Sequence, residues 1–127
     1  MNIKVIKIRS NTTNNKTAIL ELEKLGYNVI KFSVDRRKNG KQKVVEVIRS
    51  HIKYGESLNS TLLFEGVISI LNWKEFWKGS PDFIIWNEKE IYFCEFKSKQ
   101  DSFRLNQLDW FERFDMLPTA IAFCVGK

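Results

Sequence analysis

Residues 79–99 read GSPDFIIWNEKEIYFCEFKSK, and their polar positions are misplaced for a plain core hairpin. Ile84, Ile85 and Trp86 are apolar on successive residues, as are Ile91, Tyr92, Phe93 and Cys94. That pattern predicts two short strands covered on both faces. Asp82, Glu95 and Lys97 break it at one end. A turn centred between Glu88 and Lys89 pairs Asn87 with Glu90, whether the loop has two residues or four. Counting outward, Trp86 faces Ile91, Ile84 faces Phe93, and Asp82 faces Glu95. Opposed residues share a face with Cβ atoms about 5 Å apart, and Lys97 follows about 7 Å along it. Two acids and a lysine therefore converge at one sheet end. Two carboxylates that close repel, so a cation is expected between them.

The remaining sequence suits one domain spanning 1–127, with 43% hydrophobic and 28% charged residues. A net charge of +6 favours a polyanionic partner, nucleic acid being the commonest. Cys94 and Cys124 lie in apolar runs, as reduced core residues do. Without a signal peptide or a long apolar run, an intracellular protein is expected, cytoplasmic or in host cytoplasm if viral.

Taken in order, residues 2–9 form a short strand, at an edge given its basic side chains. Ala18, Ile19, Leu22 and Leu25 recur at helical spacing over 16–25, and Gly26 is the stop. Residues 27–34 are rich in strand formers. Residues 35–43 carry five basic side chains and one acid. They read either as a solvated loop or as a phosphate-contacting one, with Arg36, Arg37, Lys38, Lys41 and Lys43 as contacts. A helix is expected over 44–54, with His51 at its surface or boundary, and residues 55–60 form a loop. Ser60 would cap a second helix over 61–77. Trp73, Phe76 and Trp77 there suit core packing or, alternatively, base stacking. After the hairpin, Asn106 would cap a helix over 107–114 with Asp109 as capping-box partner. Residues 119–125 form a last buried strand.

Gly79-Ser80-Pro81-Asp82, with Glu95-Phe96-Lys97 thirteen positions beyond the aspartate, resembles the PD-(D/E)xK nuclease superfamily. Leu105-Asn106-Gln107 followed by Trp110 resembles the L-S-x-x-Q helix start of small VRR-NUC-type nucleases. The helix–Gly26–strand unit and the Gly-Ser and Glu-x-Lys-Ser elements resemble archaeal Holliday-junction resolvases. The resemblance covers 14–34 and 79–125, and leaves 35–78 as a helical insertion. It implies an α/β fold with a restriction-endonuclease-like mixed sheet flanked by helices.

It also implies a metal-dependent DNA endonuclease, acting on branched or otherwise structured DNA. Asp82, Glu95 and the Phe96 carbonyl would hold Mg²⁺, with Mn²⁺ substituting. Lys97 would orient a water or stabilise transition-state charge. Gln107 matches the family's supporting glutamine. Lys99 joins the basic contacts, and a homodimer is carried over by resemblance alone. Many relatives place a further acid on the first helix, where this chain has Asn15 beside Asn14. Glu21, Glu23 and Glu65 are substitutes. That gap motivates a second function, a catalytically inactive DNA-binding module. A third is a protein–protein adaptor presenting Trp73, Phe76, Trp77 and Trp110.

Overall fold

The computed structural model describes residues 3–10, 14–32, 40–54, 58–99 and 101–125. Five strands form one mixed sheet: β1 (Ile3–Ile8), β2 (Asn28–Lys31), β3 (Phe83–Trp86), β4 (Ile91–Lys97) and β5 (Thr119–Cys124). Their spatial order is β1-β5-β4-β3-β2. β1, β5 and β4 run parallel, while β3 is antiparallel to both β4 and β2. The helices are α1 (Asn15–Lys24), α2 (Gly40–Tyr54), α3 (Leu58–Ile68), α4 (Trp73–Phe76) and α5 (Leu105–Arg113). This is the expected α/β architecture.

The sheet is covered on both faces because its central strands are apolar on both. On one face Ala18 and Leu22 of α1 pack on Ile6, Phe83, Ile85, Cys94, Phe96 and Ala122. On the other, the helices from α2 onward pack on Ile84, Ile91, Phe93 and Ile121. Phe76 is the hub there. Its ring meets Phe93 at 5.5 Å, Trp110 at 5.7 Å and Phe114 at 5.1 Å, all edge-on as ring quadrupoles prefer. Trp110 buries fully, and its indole N–H donates to the Phe76 carbonyl at 2.8 Å. This cluster bolts α5 across β4. Phe76 and Trp110 are thus core, which removes the four-residue adaptor surface.

The α1 end is a Schellman motif, with the Gly26 N–H reaching the Glu23 carbonyl and the Tyr27 N–H the Leu22 carbonyl. Gly26 sits at φ 97°, open to glycine without strain. Leu25, expected on the apolar side, is exposed. Cys94 and Cys124 are buried free thiols, and burial pushes both pKa values up.

Four local expectations need correction. Residues 61–77 do not form one helix. α3 begins at Leu58 inside the expected loop, and a break at 69–72 separates it from α4. Ser69 folds its hydroxyl back to the Gly66 carbonyl, and Asn72 caps α4 by accepting the Glu75 N–H. Likewise α2 starts at Gly40, so 40–43 are helical rather than loop, while Arg36, Arg37 and Lys38 lie outside the described residues. His51 is buried instead of superficial. Its Nε2 donates to the Asn87 carbonyl at 2.7 Å, and its Nδ1 faces the buried Ser60 hydroxyl. Ser60 therefore ties α3 to α2 and does not cap a helix.

Candidate active site

The hairpin register is the one the turn predicts. Trp86 pairs with Ile91, Ile84 with Phe93 and Phe83 with Cys94. Asn87 sets it: its N–H donates to the Glu90 carbonyl, and its side-chain oxygen accepts from Lys89 and Glu90 N–H groups. One more step puts Asp82 across from Glu95. The Asp82 backbone is held from the other side by the Phe32 N–H, which donates to its carbonyl at 2.7 Å. Asp82 is half-buried, whereas Glu95 and Lys97 are only 2% and 6% exposed. Both carboxylates act on the Cys94 thiol, their charges adding to the burial that resists its ionisation.

Gln107 joins the two strand residues. Its amide nitrogen donates to Glu95 Oε1 at 3.1 Å, and its oxygen accepts from Lys97 Nζ at 2.7 Å. That oxygen also accepts the Arg104 N–H at 3.0 Å, which fixes the amide's orientation. Glu95 and Lys97 themselves stand 3.8 Å apart, beyond hydrogen-bond reach. Lys97 Nζ also donates to the Ser102 carbonyl, at 3.2 Å. The connecting loop is closed by Asp101, whose carboxylate accepts the Ser98 N–H at 3.0 Å. That bond holds the Asp101 carboxyl below its ordinary range.

The start of α5 differs from expectation. Arg104, not Asn106, is the N-cap, and Asp109 pairs with Arg113 at 2.6 Å instead of capping. Arginine offers no side-chain acceptor, so only the Gln107 half of a capping box forms. The S-x-x-Q spacing thus falls on Arg104 to Gln107, two residues upstream of where the apolar pattern put it.

Gly79 explains the Gly-Ser element. A Cβ there would lie 2.2 Å from the Asn106 carbonyl oxygen, and φ is +75°. Glycine lets the lead-in to β3 press against the backbone of the α5 start. Asp82 and Gln107 are thereby brought to the same sheet end.

Other candidates are placed as follows. Asn14 caps α1 by accepting the Thr17 N–H at 2.8 Å, and Asn15 opens that helix. α1 covers the face opposite Glu95. Glu21 pairs with Lys24 at 3.2 Å, while Glu23 and Glu65 are exposed. Among the described residues, no group of three or more His, Cys, Asp or Glu side chains comes together. Lys41 lies over the Trp73 ring at 5.9 Å, Lys43 is half-buried, and Lys99 is exposed. Sequence reasoning missed Ser102 and Phe103, which touch Lys97; the signal for them was their place between the lysine strand and Gln107.

The chain matches the VRR-NUC domain over residues 33–127, well over half its length. The match runs through the helical segment that sequence reading set apart as an insertion, so that segment lies within the matched domain. No curated protein and no solved structure matches the chain significantly. No helix among the described residues is long and apolar enough to cross a membrane.

Proposed function

The chain belongs to the VRR-NUC family, a family of nucleases, and from that premise we propose that it is a metal-dependent endonuclease of the PD-(D/E)xK type, hydrolysing phosphodiester bonds in branched or otherwise structured DNA. The observation that carries this reading is the convergence of Asp82, Glu95, Lys97 and Gln107 at one sheet end. Asp82, Glu95 and the Phe96 carbonyl present only hard oxygen donors, a set that fits Mg²⁺, with Mn²⁺ as substitute. The cation, when bound, supplies charge for a phosphoryl oxygen and lowers the pKa of a bound water.

The protein's own residues do the rest. Gln107 holds the Glu95 carboxylate and the Lys97 ammonium on opposite ends of one amide, so neither swings onto the other. Lys97 has three N–H donors and uses two on Gln107 and Ser102. The third is left for a phosphate oxygen or the attacking water, and steadies the charge that builds on the phosphate. The net charge of +6 draws the polyanion in. Lys41, Lys43 and Lys99 are the described basic side chains assigned to its backbone, and Arg36, Arg37 and Lys38 extend that set.

The test is to incubate the purified protein with nicked, branched and linear DNA in Mg²⁺ or Mn²⁺. Cleavage that is strongest on structured DNA and stops with EDTA is expected. If no substrate is cut, the reading fails. The absence of a third acid near Asp82 and Glu95 among the described residues favours one alternative, a catalytically inactive DNA-binding module. It predicts salt-sensitive binding without turnover.

A further inference from the structure

We propose that Phe103 is a positioning residue for Lys97, carrying the buried ammonium's charge on its ring so that one N–H stays available for substrate. This rests on the functional reading of Lys97 given above. Lys97 is 6% exposed, so its side chain has lost most of its water. A buried charge needs compensation, and each oxygen acceptor that supplies it consumes an N–H. Gln107 and Ser102 consume two. The Glu95 carboxylate, 3.8 Å from the ammonium, pairs with its charge from beyond hydrogen-bond reach and so takes no N–H. Lys97 Nζ also lies 4.9 Å from the Phe103 ring centroid, within cation–π range. An aromatic face stabilises a cation through its quadrupole without requiring a hydrogen bond to an oxygen.

The ring is held for this task although it comes from a loop. Phe111 of α5 meets it edge-on at 5.8 Å, and Phe123 of β5 does so at 6.4 Å. The loop itself is pinned by the reciprocal Ser98–Asp101 backbone and carboxylate bonds. The same loop therefore supplies both the Ser102 carbonyl and the ring. An aliphatic side chain would fill the space without the ring's contribution to holding the charge.

The test is DNA cleavage in Mg²⁺ by four proteins: wild type, Lys97→Met, Phe103→Leu and Phe103→Tyr. Phe103→Leu should lower kcat roughly 3- to 30-fold with little change in KM, and Phe103→Tyr should restore it. Incorporating mono-, di- and trifluorophenylalanine at 103 keeps the shape but drains the ring's quadrupole, so kcat should fall stepwise. In NMR spectra, the upfield ring-current shift of the Lys97 ε-protons should vanish in Phe103→Leu and persist in Phe103→Tyr. A wild-type kcat in Phe103→Leu, or a rate indifferent to fluorination, beside a dead Lys97→Met overturns this inference alone. Undiminished cleavage by Lys97→Met, or none by the wild type, overturns the functional reading beneath it.

Discussion

Each end of the β3–β4 hairpin sets a glutamate against a lysine, Glu90 against Lys4 of β1 at the turn and Glu95 against Lys97 within β4 at the other, and the two ends treat the pair differently. At the turn end, Glu90 accepts Lys4 Nζ at 2.6 Å and the Tyr27 and Tyr92 hydroxyls at 2.9 Å each. Burial works against its charge, but those hydrogen bonds outweigh it and hold the carboxyl below its ordinary range. Lys4 is correspondingly raised by its bond to Glu90. The cluster ties β1 and β4 to the chain entering β2, and its opposite charges meet directly. At the other end, the more deeply buried Glu95 and Lys97 are kept 3.8 Å apart, each bonded to Gln107 instead. Direct contact neutralises a pair and stabilises the fold. A pair held apart by an intervening amide keeps its charges directed at whatever enters the site.

Four substitutions separate the two ends, from the largest effect to the smallest. Gln107→Ala should let Glu95 and Lys97 collapse together, cutting the single-turnover cleavage rate about 10²- to 10³-fold while DNA affinity holds. Gly79→Ala forces a Cβ into the Asn106 backbone at positive φ, so it should cost about 2–4 kcal/mol in chemical denaturation. It should also slow cleavage, because it displaces the α5 start that carries Gln107. Glu90→Gln should lower stability by about 1–2 kcal/mol at neutral pH and leave cleavage by the folded protein unchanged. Its pH signature follows from the depressed folded pKa. The stabilisation is complete above the ordinary carboxylate range and drains away as pH falls through the lower folded value. Wild type should therefore lose stability on acidification more steeply than Glu90→Gln in pH-dependent melts. Arg104→Ser supplies the missing acceptor of the α5 capping box and should raise stability by about 0.5–1 kcal/mol in the same melts.

Why the hairpin was legible and its surroundings were not is a matter of range. The turn at Asn87–Glu90 determines register locally, so Asp82, Glu95 and their shared face follow from counting. Gln107 was legible as a residue but not as a link, since its three hydrogen bonds depend on where α5 docks. The α5 cap was misplaced because Asn106 is a good N-cap type, whereas packing of Trp110 under Phe76 and the Gln107–Arg104 bond start the helix at Leu105. His51 was misread for the same reason. A lone histidine looks superficial until Ser60 and the Asn87 carbonyl are brought to its two nitrogens. Phe103 went unnoticed because a single loop aromatic carries no pattern. The break between α3 and α4 was written in Ser69 and Asn72, but the apolar spacing across them concealed it.

The central claim is that Asp82 and Glu95 form one cation site beside Lys97. Anomalous diffraction from crystals soaked in Mn²⁺ tests it most directly. The account predicts a manganese peak between the Asp82 and Glu95 carboxylates that disappears in Glu95→Gln. A peak elsewhere, or none at saturating Mn²⁺, would contradict it.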